Sequence, residues 1–136
     1  MGDTCRHLFV YGTLMANAAG ALGRTQRQRL ARESRSLGAA TMMGARLYNL
    51  GRYPGLVETG EAGDIVHGEV VHLANPVRTF LWLDAYEGVV AEDAALSEYV
   101  RLELTVRLER GTELGAWVYV FVKDVAHRRA IAHGRW

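Results

Sequence analysis

The 136 residues hold one cysteine, two prolines and one lysine. Cys5 has no second thiol to pair with, which excludes an internal disulfide, and zinc sites built on thiolates need more than one. Pro54 and Pro76 lie far apart in a chain without repeats, low-complexity runs or linkers. Fifteen of the 16 basic side chains are arginine, Lys123 being the exception, a bias that a GC-rich genome produces as readily as any function. Neither acidic nor basic side chains are in marked excess, at 15 and 16. The formal net charge of +1 gives no long-range attraction to nucleic acid or to an anionic membrane. No apolar stretch approaches the roughly 20 residues of a membrane helix, and "MGDTCRH" is polar where a secretory leader would be basic and then apolar. Arg6 stands where the myristoylation pattern wants Ser or Thr. A cytoplasmic protein without nucleic-acid or membrane partners is expected.

What is present suits one globular domain spanning 1–136. Hydrophobic residues make up 49% and charged residues 23%, and a domain of this length buries roughly two-thirds of its unfolded surface, enough for a core without staples. A first strand covers Leu8 to Tyr11. In "GALGRTQRQRLARESRSLG" the arginines spread around any helix, and without interleaved aromatics the segment reads as a solvated helix or loop rather than a nucleic-acid patch. "AATMMGARLYNL" reads as one strand and "GRYPGLVETG" as turn-rich around Pro54-Gly55. "DIVHGEVVHL" alternates as a half-buried strand does, with Gly68 marking a bulge or a close approach. Asn75-Pro76 starts a helix that runs to Glu87 and stops at a left-handed Gly88. "VRLELTVRL" and "WVYVFV" are strands, and the tail "AHRRAIAHGRW" carries some helical pattern. Five or six strands with two helices predict an α+β fold built on a mixed or antiparallel sheet, which curling into a barrel would protect best.

"FVYGTLM" raises a question, because Gly12 and Thr13 interrupt a core strand that has hardly begun. A second feature stands on the helix. Phe80 and Leu83 share a stripe that four more residues extend to Glu87, so a carboxylate continues a core-facing row at the negative end of the helix, with Asp84 three positions back. Burial and those charges would raise its pKa and make Glu87 a proton carrier near neutrality; the other reading is a frayed helix end pointing to water. The histidines carry less. His67 and His72 face opposite sides of one strand, and no HExxH, CxxC or carboxylate cluster accompanies any histidine, so no metal is expected. Phosphate-binding glycine motifs are lacking, no base stands beside Thr13, and Cys5 reads as incidental.

"FVYGTLM", "LYNLGRYPGLV", "VHGEVV", "LDAYEG", "EYVRLEL" and "AWVYVFV" follow in the order of the gamma-glutamylcyclotransferase-like (AIG2-like) family, which the chain resembles from Leu8 to Trp136. The resemblance implies an α+β fold with a small mixed or antiparallel β-barrel and flanking helices. It also implies a γ-glutamyl-binding loop at Tyr11, Gly12, Thr13 and Leu14, a proton-handling Glu87, and Tyr99 facing the site while Arg101 serves structure. The implied reaction has the substrate's own α-amine attack its γ-carbonyl, releasing 5-oxoproline and an amine without any cofactor. The partner is then a small γ-glutamyl substrate, either a γ-glutamylamine or a γ-glutamyl peptide. Such an enzyme is an amide-cleaving, cyclising transferase or lyase.

Two departures stand out. The link between Glu87 and Tyr99 carries Glu92, Asp93 and Glu98, which would disfavour anionic leaving groups, and the chain ends in "HGRW" rather than a Ser-Gly-Asp-Trp-like tail. A non-catalytic member that binds a small molecule or a partner in the same pocket is the alternative. The intact "YGTL" and Glu87 favour the enzyme.

Overall fold

A computed structural model describes residues 5–12, 14, 15, 23–90 and 94–136. In chain order the elements are β1 (His7–Val10), α1 (Arg24–Glu33), β2 (Ser34–Met43), β3 (Ala45–Asn49), β4 (Pro54–Glu58), β5 (Ile65–Leu73), α2 (Pro76–Tyr86), a 3-10 turn at Ala94–Leu96, β6 (Tyr99–Leu108), β7 (Glu113–Phe121) and β8 (Arg129–Ala130). Five strands close into a barrel in the order β1-β5-β2-β6-β7. Its pairings are antiparallel except where β1 meets β7 in parallel through Leu8 and Trp117. A smaller antiparallel sheet, β4-β3-β8, lies beside it. This is the α+β, mixed-barrel class expected from the strand pattern. No described helix is long and apolar enough to cross a membrane.

The closure explains why β1 is apolar on both faces. Phe9 packs into one buried cluster with Val66, Val70, Val106 and Val118, while Leu8 and Val10 join a second with Leu30, Phe80 and Leu83 of the helices. Alternate side chains of a strand point to opposite faces, so a strand covered on both sides must be apolar throughout. Gly68 marks a close approach: a Cβ there would strike the Val10 carbonyl oxygen and the Phe9 ring. The bulge lies elsewhere, in β2 between Ser36 and Gly38.

Helix α2 forms as its punctuation requires. The Asn75 side chain accepts from the Arg78 amide at 3.1 Å, and Pro76 fills the first turn. At the other end Gly88 takes φ 75°, its N–H reaching the Ala85 carbonyl at 3.2 Å and that of Val89 the Asp84 carbonyl at 2.9 Å. This pair of bonds is the Schellman arrangement, and it fixes where Glu87 stands.

Three local expectations are corrected. "AATMMGARLYNL" is two strands, because Gly44 at φ 77° turns the chain out of the barrel into the second sheet. Pro54-Gly55 lies in strand β4 and the turn precedes it; the proline starts an edge strand, where its missing N–H is harmless. The tail is extended rather than helical. It adds β8 to the open side of β3 and ties Gly134 to β5, the His67 amide donating to the Gly134 carbonyl at 2.8 Å.

Candidate functional site

The end of β1, the start of β4, the C-terminus of α2, the segment before β6, and β7 surround a cavity of about 240 Å³. Tyr11, Gly12 and Leu14 line it from the first loop, Glu87 from the helix end and Tyr99 from β6. Thr13, expected beside them, lies outside the described residues. Gly12 has no positive φ; a Cβ there would come within 2.9 Å of the Pro54 ring, so the glycine lets the loop pack on β4.

The tyrosine hydroxyls build the walls. Tyr11 donates to the Tyr119 carbonyl at 2.5 Å and accepts from the Leu56 amide at 3.4 Å, joining β1, β7 and β4. Tyr99 donates to the Pro54 carbonyl at 2.8 Å, and its ring meets Phe121 edge-on at 5.4 Å. Tyr119 donates to Asp84 Oδ1 at 2.6 Å. Burial raises the pKa of all three phenols, so they remain neutral donors. Arg101 stands outside the lining. It forks onto both Asp84 oxygens at 2.9 and 3.1 Å and lies 3.7 Å over the Phe80 ring.

Glu87 is half-buried and faces the cavity, and no described side chain hydrogen-bonds its carboxyl. Burial, then the charge of Glu98, then that of Asp84 push its pKa up to about 8. The stripe through Phe80 and Leu83 does carry Glu87 inward, since both are buried and the Glu87 amide bonds the Leu83 carbonyl at 2.9 Å. A carboxyl poised near neutrality in an aromatic cavity can both take and return a proton.

Sequence reasoning missed Tyr53 and Tyr119, whereas Glu98, expected in the acidic link beside the site, does line the cavity with Glu87. Tyr53 donates to Glu98 Oε1 at 2.6 Å, and this bond to the carboxylate pushes its pKa up to about 12. The place of Glu98 in the acidic link, directly before the Tyr99 motif, is the signal that pointed to it. Glu92 and Asp93 lie outside the described residues. Among the described residues no three His, Cys, Asp or Glu side chains converge as metal ligands.

A closed five-stranded barrel whose rim holds an aromatic, acid-bearing cavity defines a class, and comparison identifies it. Residues 8–136 match the profile of the family described as gamma-glutamyl cyclotransferase, AIG2-like. The chain belongs to this family. Comparison with curated proteins gives no match. Among solved structures, ytfP from Escherichia coli is 29% identical with a TM-score of 0.63, covering 96% of this chain and 95% of its own. An AIG2-like protein from Mus musculus is 22% identical with a TM-score of 0.67, covering 90% of this chain and 80% of its own. YkqA from Bacillus subtilis is 22% identical with a TM-score of 0.67 over 96% of this chain, which spans 39% of YkqA. The last two likenesses are of fold.

Proposed function

We propose that the chain is a single cyclotransferase domain that releases 5-oxoproline and a free amine from a γ-glutamylamine or γ-glutamyl peptide, with Glu87 as proton carrier. The observation behind this reading is the Glu87 carboxyl, set in the cavity with its pKa near 8. A substrate α-ammonium has a pKa of about 8 as well, so the proton moves between groups of matched strength. Burial disfavours the ionised form, so the Glu87 carboxylate draws the proton from the ammonium and becomes the neutral acid.

The freed amine attacks the γ-carbonyl within the same molecule. A C–N bond closes the five-membered ring and the old amide C–N bond breaks. Two protons leave the α-nitrogen in all and two arrive at the departing nitrogen, relayed through Glu87. Because nucleophile and carbonyl are tethered, the site mainly has to hold the γ-glutamyl chain folded. In this reading Tyr11, Gly12, Leu14 and Tyr99 shape that fold, and the Gly12 backbone N–H would hold the substrate carboxylate or the developing oxyanion. Thr13 belongs to the same loop by its motif. The mixture to test is a panel of γ-glutamyl amines and dipeptides assayed for 5-oxoproline. Product from any of them supports the reading; none, from folded protein, would leave a binding module in its place.

A further inference from the structure

The cavity is unbalanced in charge. Its lining contains two carboxylates, Glu87 and Glu98, several aromatic rings including Tyr53, Tyr86 and Tyr99, and no described basic side chain. The residues outside the description, 1–4, 13, 16–22 and 91–93, include no Lys, Arg or His, so no basic side chain is added from them. Arg101 is bound to Asp84 outside the lining. Arg128, whose charge reaches Tyr53, is exposed and donates to the Leu50 carbonyl at 3.4 Å.

Proton relay needs one carboxylate, and Glu98 is the second. It is firmly placed. Tyr53 holds Oε1 at 2.6 Å, the Glu98 amide donates to the Gly88 carbonyl at 3.0 Å, and its own carbonyl accepts from Val122 at 3.1 Å. Oε2 has no hydrogen bond among the described residues. A carboxylate and several tyrosine side chains lining one cavity make the usual surroundings of an organic cation. An anionic group there would meet the Glu98 charge with no basic side chain in the lining to offset it.

We infer that Glu98 is a specificity-determining residue, and that the leaving amine carries a second, distal positive charge, as in a γ-glutamyl derivative of an aliphatic diamine or polyamine. This rests on the cyclotransferase reading. Glu87 then serves the reacting α-nitrogen and Glu98 the distal ammonium, and the diamine departs protonated at both ends.

The test uses γ-glutamyl-1,4-diaminobutane, its neutral isostere γ-glutamyl-n-pentylamine and the anionic γ-glutamyl-4-aminobutyrate. In wild type, kcat/KM for the diamine should exceed that for the neutral isostere by about tenfold or more, a factor typical of one partly desolvated charge contact, with the anion poorest. Glu98→Gln keeps an oxygen for Tyr53 and should collapse the cation-to-neutral ratio. Calorimetric titration of the Glu87→Gln protein should show the same order of affinities without turnover. Equal values for cation and neutral isostere in wild type, or a preference that survives Glu98→Gln, would overturn the inference. Turnover failure with the binding preference intact would instead count against the cyclotransferase reading alone.

Discussion

Replacing Glu87 by glutamine should change how stability depends on pH. In the unfolded chain this carboxyl ionises near its ordinary 4.5, whereas in the fold it keeps its proton to about 8. Below about pH 4.5 both states are protonated and the folded state carries no penalty. Between 4.5 and 8 the unfolded chain gives up the proton first, so stability falls as pH rises. Above about 8 both forms are ionised and the loss is complete. At 1.36 kcal/mol per pH unit the full effect is roughly 5 kcal/mol, of which about 3 is already lost at pH 7. For a chain of this size 1 kcal/mol moves Tm by about 3 °C, so the span is on the order of 15 °C. Thermal unfolding of wild type and Glu87→Gln from pH 5 to 9 isolates the effect, because other titrating groups act in both proteins. The wild-type curve should drop away from the variant's as pH rises. Parallel curves would refute the placement of a desolvated carboxyl without a described side-chain partner at this position.

The rate should show the same group. With Glu87 and the substrate ammonium both ionising near 8, wild-type kcat/KM should trace a bell with its maximum near that pH; a flat profile from pH 6 to 9 would exclude a carboxyl so shifted. Gly68→Ala should destabilise by about 3 kcal/mol, near the upper end for overpacking, because the added methyl meets the Val10 carbonyl and the Phe9 ring. Denaturant unfolding measures it, and a change under about 1 kcal/mol would mean that β1 and β5 yield there.

Helix α2 was legible almost residue by residue. Asn75, Pro76 and Gly88 act through short-range hydrogen bonds and dihedral preferences, and the Phe80–Leu83–Glu87 row follows from helical geometry alone. The acid at its end could therefore be found from local pattern. The electrostatics could be found only in part. Asp84 is a helix neighbour, but Glu98, the stronger charge on Glu87, comes from a separate segment held against Gly88 by a backbone bond. Tyr53 and Tyr119 were hidden for the same reason, since Tyr53 reaches the cavity from the turn before β4 of the second sheet and Tyr119 from β7 of the barrel, both far from Glu87 in sequence. Gly12 shows how a correct position can have an unforeseen cause: what forbids its side chain is Pro54, some forty residues away. The tail failed in the opposite direction. Its local pattern suggested a helix, but the unpaired edge of β3 offered backbone hydrogen bonds that no local signal announces.

The most direct measurement is 5-oxoproline formed, with an equal amount of free amine, when wild type and Glu87→Gln are each given the best γ-glutamyl substrate of the panel. Loss of a positioned proton carrier should lower kcat by about 10²- to 10⁴-fold while the variant stays folded. A folded Glu87→Gln that turns over at the wild-type rate would contradict the account at its centre.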